Sequence, residues 1–149
     1  MRVGQPKLIL NPYDWLPGYG ESKISFRSDG VDVILDVQYE RDALDIDGSD
    51  IVQILRREIV FKCVQTFIRT PFPDSSFFEF YGDSRGFRLG ELTEFMDSEL
   101  VVSNLERWRL VPGEGLLEVR HFSIQFLSEN IAFHILAKDV VLSDERLAG

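Results

Sequence analysis

The sequence predicts a mainly β domain of about seven antiparallel strands, arranged as a sandwich or a strongly bent sheet, with one short α-helix near residues 98–108. Three observations predict this fold class. Apolar and polar residues alternate over several runs, which is typical of half-buried strands. Turn-forming residues separate these runs, and one stretch has helical spacing instead. The length of 149 residues fits a single globular domain over residues 1–149.

Residues 1–20 are predicted to form an irregular aromatic segment that packs on the sheet as a lid. Prolines and glycines break regular structure in its second half, at Pro12, Pro17, Gly18 and Gly20. Its large apolar side chains would supply the packing contacts: Tyr13, Trp15, Leu16 and Tyr19.

The next segments indicate strands. Ile24 and Phe26 precede a turn at residues 28–30, and apolar residues then alternate over residues 31–39, which predicts a hairpin with one buried face. Residues 51–69 also contain apolar residues at helical spacing. The density of β-branched and aromatic residues over 59–68 favours one strand that carries Cys63 on its buried face.

The second half predicts short strands, the helix and a closing hairpin. A proline-containing break at residues 70–74 precedes short strands at 77–81 and 87–92. Asp97 or Ser98 can cap the helix, and its apolar stripe consists of Val101, Leu105 and Trp108. In the closing hairpin, alternation places Phe122, Ile124 and Phe126 opposite Ile135, Phe133 and Ile131, with a two-residue turn at 128–129.

Charge limits the possible partners. Twenty-five acidic residues against sixteen basic residues give a net charge of −9. Such a surface repels phosphate backbones, which argues against direct nucleic-acid binding, and it favours a basic partner or simply solubility. The longest apolar runs span only a few residues, so no membrane interaction is predicted. A single cysteine cannot form an intramolecular disulfide, which fits a cytoplasmic protein.

The two histidines are the scarcest candidate bases. The register of the closing hairpin places His121 and His134 diagonally on the outer face of the sheet, as surface or partly buried side chains. A metal site would need a third ligand, and the chain has no third histidine and no second cysteine. Nucleophile elbows and phosphate-binding loops are also missing. We therefore expect no enzyme, no metal and no cofactor.

An acidic loop is the first candidate for partner binding, through Asp42, Asp45, Asp47 and Asp50. Its spacing fails the EF-hand pattern, because Asp50 and Arg56 stand where glycine and glutamate are required. A solvated loop remains the simpler alternative.

A second candidate set lies in a block of aromatic and charged residues at 77–95: Glu79, Glu91 and Glu94. These carboxylates would join the binding surface if they share an exposed face. The alternative is a pair of edge strands whose charges discourage aggregation.

Three segments carry a resemblance to a known group: residues 67–73, residues 89–100, and the closing hairpin from residue 120 to Ile135. Over about residues 55–142 the chain resembles small bacterial proteins of the type found as immunity proteins in polymorphic toxin systems. The resemblance implies that the protein binds and blocks a cognate toxin, often a nuclease with a basic surface. No site residues are transferred from that group.

Together these features predict a non-enzymatic, acidic binding protein of the cytoplasm that neutralises a basic protein partner. The resemblance implies that the cytoplasm is bacterial and that the partner is a toxin domain, such as a nuclease. Two alternatives remain open. One is a structural or assembly module, for example a homodimer formed by pairing exposed sheet edges. The other is a small-molecule-binding β domain in which residues 13–19 form the lid.

Overall fold

A computed structural model describes residues 1–17, 21–71, 79–108 and 118–148, and the chain is mainly β with a single helix in these ranges, as the sequence predicts. The described strands are β1 (Arg2–Val3), β2 (Pro6–Leu10), β3 (Lys23–Asp29), β4 (Asp32–Leu44), β5 (Asp50–Lys62), β6 (Thr66–Pro71), β7 (Glu79–Phe80), β8 (Leu92–Phe95), β9 (Arg120–Phe126), β10 (Ile131–Ala137), β11 (Asp139–Leu142) and β12 (Arg146–Leu147). Helix α1 (Glu99–Trp108) lies between β8 and β9. No helix in the described ranges is long and apolar enough to cross a membrane.

The strands form two antiparallel sheets that share one core. Sheet 1 has the order β2-β8-β9-β10-β6, and sheet 2 has the order β11-β5-β4-β3 with β12 also paired to β5. Strands β1 and β7 form a separate parallel pair. Leu35, Ile59 and Phe61 of sheet 2 belong to the same buried cluster as Ile124 and Phe133 of sheet 1. The arrangement is therefore a sandwich, because side chains from both sheets fill one interior.

Strands β4 and β5 form the longest hairpin of the described structure. Each has thirteen residues, and their register runs without a shift from Val33 opposite Phe61 to Leu44 opposite Asp50. Strand β3 has only seven residues and pairs with β4 as far as Lys23 opposite Gln38. The far end of the β4–β5 hairpin therefore extends beyond β3.

The predicted continuous strand over residues 59–68 is wrong, because it is divided at Cys63. Cys63 has φ +51°, a left-handed conformation that ends regular strand geometry, and its N–H donates to Asp32 Oδ1 at 3.0 Å. The chain leaves sheet 2 here and continues as β6 in sheet 1. Cys63 is accordingly half-buried at a strand end instead of buried in mid-strand. Both flanking segments are rich in strand-forming residues, so alternation alone does not reveal the break.

Two further predictions need correction. Residues 1–20 are not irregular throughout, because β1, β2 and a 3₁₀ turn at Pro12–Asp14 order the first fourteen residues. The predicted strand over 87–92 is absent from the described structure, and the strand begins at Leu92 instead. Gly18, Tyr19, Gly20 and residues 72–78 lie outside the described residues.

The aromatic part of the N-terminal segment does pack on the sheets. Trp15 and Leu16 contact the shared core. Tyr13 lies against Gly90, where an added Cβ would come within 2.6 Å of the tyrosine ring. This close approach requires glycine, which also adopts φ +88° at that position.

Helix α1 begins as predicted, because the Ser98 hydroxyl accepts a hydrogen bond from the Leu100 N–H at 3.2 Å. Val101 and Leu105 are half-buried on the side of the helix that carries buried Asn104. The side chain of Trp108, the third residue of the predicted stripe, lies outside the described set.

The register of the closing hairpin is confirmed. Phe122, Ile124 and Phe126 pair with Ile135, Phe133 and Ile131, in that order. The connection is longer than the predicted two-residue turn. A 3₁₀ turn at Leu127–Glu129 is followed by Asn130 in the left-handed region.

Candidate functional site

The end of the β4–β5 hairpin, here called the hairpin tip (residues 42–54), carries all four aspartates of the predicted acidic loop. Asp42, Asp45, Asp47 and Asp50 are exposed. The Asp45 carboxylate accepts hydrogen bonds from the N–H groups of Asp47 and Ser49, both at 2.9 Å. These bonds stabilise the turn, because the Asp45 carboxylate satisfies two backbone donors within it.

The hairpin tip also exposes large apolar side chains, a feature that our sequence analysis missed. Leu44 is 66% exposed, Val52 is 57% exposed, Ile54 is 51% exposed and Ile46 is fully exposed. Leu44, Val52 and Ile54 share one face of the hairpin. Val52 lies opposite Asp42 in the register, and Leu44 and Ile54 each lie two residues along their own strand from that pair. Residues two apart on a strand point to the same face. The signal was present in the sequence as apolar residues interspersed among the aspartates. Apolar side chains concentrated at one exposed site indicate an interaction surface.

A cleft of about 610 Å³ adjoins the hairpin tip. It lies between residues 15–17 and 21–23 on one side and residues 38–42 of β4 on the other, with Ile54 at its border. The rings of Trp15 and Tyr39 stand 5.3 Å apart in its wall, and the Arg57 guanidinium lies 5.3 Å from the Trp15 ring. These contacts fix the wall in place before any ligand arrives.

The side-chain carboxylate of Glu145 neutralises Arg41 in the wall of the cleft. Glu145 accepts two hydrogen bonds from Arg41, at 2.7 and 2.8 Å, and a third from the Tyr39 hydroxyl. These donors, Arg41 foremost, lower the pKa of Glu145. Burial, followed by the contact with Glu145, raises the pKa of Tyr39 to about 12, so its hydroxyl stays protonated.

The remaining charged groups make the cleft acidic. Among the described lining residues, the carboxylates of Glu21, Glu40 and Asp42 outnumber the ammonium of Lys23. Cleft and hairpin tip share Asp42 and Ile54 and form one continuous acidic and apolar surface.

Elsewhere on the outer face of sheet 2 two buried carboxylates are paired with arginines. Asp36 and Glu58 are buried and lie opposite each other on β4 and β5. Arg27 donates to Glu58 at 2.8 Å, Arg56 pairs with Asp36, and Arg146 pairs with Glu58. Because these arginines are engaged next to β3 and β12, they do not offset the aspartates at the hairpin tip.

The second predicted set of carboxylates does not share an exposed face. Glu79 is exposed on β7, whereas Glu91 and Glu94 are buried. Glu94 lies on β8, inside sheet 1, and accepts two hydrogen bonds from Arg120 at 2.8 and 2.9 Å. Paired in this way, Glu94 stabilises the sheet and is not available to a partner. Glu91 and Glu94 therefore do not belong to the candidate surface.

The histidines share one face of sheet 1, as the sequence predicts, but the prediction of an outer, solvent-facing position is wrong. Both rings are fully buried, and Nε2 of His121 lies 3.0 Å from Nδ1 of His134. Nδ1 of His121 lies 2.7 Å from the Ser98 hydroxyl, and the Phe95 ring packs edge-on against the same imidazole. The start of α1 therefore covers a face that the strand pattern alone marks as outer.

Burial keeps both imidazoles neutral. Burial lowers the pKa of His121 to about 3, with His134 as a further cause, and burial lowers the pKa of His134 to about 4. Neither histidine lines the cleft. The described residues contain no group of three or more metal-ligating side chains.

Comparisons with protein-family models, curated proteins and solved structures give no match.

Proposed function

We propose that this chain is a non-enzymatic binding protein that captures a basic protein partner at the hairpin tip and neutralises it by occlusion. One observation carries the proposal: Leu44, Ile46 and Val52 are exposed among the four aspartates at the end of a projecting hairpin. Apolar anchors surrounded by charge are the usual composition of a protein-binding surface.

The two kinds of side chain have different tasks in binding. The aspartates attract a basic surface over a distance of about a Debye length and thereby raise the association rate. The apolar side chains lose their contact with water once the partner has docked, and this burial slows dissociation. Acidity alone would give a weak complex that salt disrupts, whereas the combination gives a complex that persists.

We further propose a bacterial toxin domain as the partner, with a nuclease as the favoured class. This is the partner that the expected resemblance of residues 55–142 to immunity proteins implies. A nuclease must hold a phosphate backbone, so it presents a basic surface. An acidic protein that covers this surface would exclude the nucleic acid. Such an inhibitor would act in the bacterial cytoplasm.

A tagged pull-down from the native cell at low salt tests the proposal, with stepwise salt elution and mass spectrometry. We expect one stoichiometric basic protein that elutes as salt rises. The same capture with Asp42, Asp45, Asp47 and Asp50 changed to asparagine is expected to fail. Capture that is unchanged in this variant, or that yields no basic protein, would refute the proposal.

A matched control removes four exposed carboxylates away from the hairpin tip, through Asp29→Asn, Glu106→Gln, Glu118→Gln and Glu129→Gln. It changes the net charge by the same amount. Retained capture in this control would show that the position of the charges matters and not their total number.

The cleft favours a second candidate function, the binding of a small organic molecule. Its volume of about 610 Å³ lies within the range of small-molecule sites, about 300–1,000 Å³. Thermal unfolding in the presence of a set of organic cations distinguishes this function, because a ligand that binds only the folded chain raises the melting temperature.

A further inference from the structure

Strand β4 has an unpaired edge. Strand β3 covers one side of β4 only from Asp32 to Gln38. Beyond Gln38, residues 39–44 pair with β5 on one side, and no described strand pairs with them on the other. An unpaired edge is a template for another strand, because its N–H and C=O groups point outward in a row.

The register of β4 and β5 determines which backbone N–H and C=O groups point to this edge. The Asp45 N–H donates to the Ser49 carbonyl at 3.0 Å, so Asp45 faces β5. In an antiparallel pair, successive residues direct their backbone groups to alternate sides. Since the β4–β5 register is continuous, the backbone N–H and C=O groups of Arg41 and Ala43 also point to β5. The N–H and C=O groups of Glu40, Asp42 and Leu44 therefore point to the open edge.

The hydrogen bonds on the other side of β5 confirm which backbone groups of β4 point to the open edge. The carbonyls of Ile54 and Glu58 accept hydrogen bonds from Ala148 and Ser143, at 2.9 and 2.8 Å. These carbonyls therefore point away from β4. Glu40 is the partner of Ile54 in the register and must likewise point away from β5.

The cleft lies along this edge. Residues 38–42 form one side of it, and residues 21–23, where β3 begins, form part of the other. The open space thus occupies the position that a longer β3 would take.

We propose that the basic partner adds an extended segment to this edge of β4 as a new strand within the cleft. Basic side chains at alternate positions would lie opposite Glu40 and Asp42, and an apolar side chain would lie opposite Leu44. Main-chain hydrogen bonds to the edge would supply affinity, and these cross-strand pairs would supply specificity. The inference rests on the proposed function and names the binding mode of that partner.

The charges of the edge favour a basic segment over a second copy of this chain. Pairing of two such edges would bring Glu40 and Asp42 of one copy against acidic residues of the other, and like charges directly opposite are destabilising. Acidic side chains at an edge therefore disfavour self-association. The same side chains attract lysine and arginine.

Two synthetic nine-residue peptides test the mode of binding. The first alternates lysine with threonine and carries a leucine in register for Leu44. The second has the same composition, but its lysines are adjacent. Amide hydrogen exchange is followed by NMR as each peptide is added to the full chain.

We expect the alternating peptide to slow exchange at the amides of Glu40, Asp42 and Leu44 by roughly tenfold or more at saturation. Arg41 and Ala43, already bonded to β5, serve as internal controls whose exchange should be slow before and after addition. Binding of the alternating peptide without new protection at the three edge amides would overturn strand addition. The peptide with adjacent lysines should bind more weakly and give less protection. Failure of the alternating peptide to bind would also overturn strand addition.

A pair of variants distinguishes the contribution of the Asp42 backbone N–H to peptide binding from that of the Asp42 carboxylate. Asp42→Asn removes the carboxylate and keeps the amide, whereas Asp42→Pro removes both without breaking a β4–β5 hydrogen bond. We expect the proline variant to bind the alternating peptide at least tenfold more weakly than the asparagine variant. Equal affinities would overturn the proposal. The exchange experiment on the unaltered chain gives its answer even if the proline variant fails to fold.

Failure of this inference is distinguishable from failure of the proposed function. If the natural partner is captured through the hairpin tip while the edge amides stay unprotected, the binding function stands and strand addition falls. Protection of the edge amides that rises with protein concentration alone, together with a doubled mass, would assign the edge to a second copy and overturn the inference.

Discussion

A hydrogen bond joins the rings of His121 and His134, with Nε2 of His121 3.0 Å from Nδ1 of His134. One of the two facing nitrogens carries the proton that the other accepts, and burial keeps both rings neutral. A proton added to either ring would create a buried charge and remove an acceptor. The pair therefore links the stability of sheet 1 to pH.

We expect the protein to lose stability between pH 6.5 and 5. The ordinary histidine pKa is 6.5, whereas the folded values are about 4 and about 3. Below pH 6.5 the unfolded chain binds protons that the folded chain does not, so each pH unit costs up to about 1.4 kcal/mol per histidine. Urea unfolding should give a free energy about 2–4 kcal/mol smaller at pH 5.0 than at pH 7.5.

A His134→Gln variant is the matched control for this loss, since it leaves one buried imidazole and should show about half the pH dependence. Carboxylates with a lowered pKa, such as Glu145, lose their contribution only as pH falls below about 4.5, outside this window. Stability that is equal at pH 7.5 and 5.0, or NMR titration of both imidazoles near pH 6.5, would contradict the burial of the pair.

Ser98→Ala should destabilise the fold by about 1–3 kcal/mol, because it removes both the helix cap and the hydrogen-bond partner of His121. Ser98→Thr keeps the hydroxyl and is expected to retain most of this stability. Urea unfolding at pH 7.5 measures both. A loss as large in the threonine variant as in the alanine variant would assign the effect to packing.

Neutralising the four aspartates of the hairpin tip should slow association with the basic partner by about 10–100-fold at low salt. The dependence of the association rate on salt should weaken in the same variant. Stopped-flow or surface-based kinetics at several ionic strengths measures both quantities. An unchanged association rate would show that the steering charges lie elsewhere on the chain.

Leu44→Ser combined with Ile46→Ser should raise the dissociation rate and leave the association rate nearly constant, because these side chains act after docking. Their exposure in the free chain predicts a change in unfolding free energy within about 0.5 kcal/mol. Leu8→Ser, at an exposed apolar residue on β2, is the matched control and should leave both rates unchanged. A slower association with unaltered dissociation would contradict this division of tasks.

Alternation of apolar and polar residues predicts strand pairing where the two strands are close in sequence and neither is interrupted. The register of Phe122 with Ile135 follows from the sequence because one connection joins two regular strands. The burial of His121 does not follow, since it depends on Ser98 and Phe95, which approach from another part of the chain. The burial of Glu94 does not follow either, because its partner Arg120 lies on a neighbouring strand of sheet 1.

The sequence predicts the exposure of the aspartates at the hairpin tip but not that of the apolar side chains beside them. The four aspartates stand out as a charge pattern, so Asp42 and Asp50 were expected to be exposed. The exposure of Leu44 depends on how far β4 and β5 extend beyond β3, and strand length mismatch is not encoded in periodicity.

The division of the chain at Cys63 also separates two modes of assembly. Strands β3, β4 and β5 pair with their nearest neighbours in sequence, so only short loops must close. Sheet 1 instead gathers strands from Pro6 to Ala137, at a greater entropic cost of loop closure. We therefore expect the three-stranded meander to form early on the folding pathway and sheet 1 to complete it, so that the hairpin tip takes shape before the histidines are enclosed.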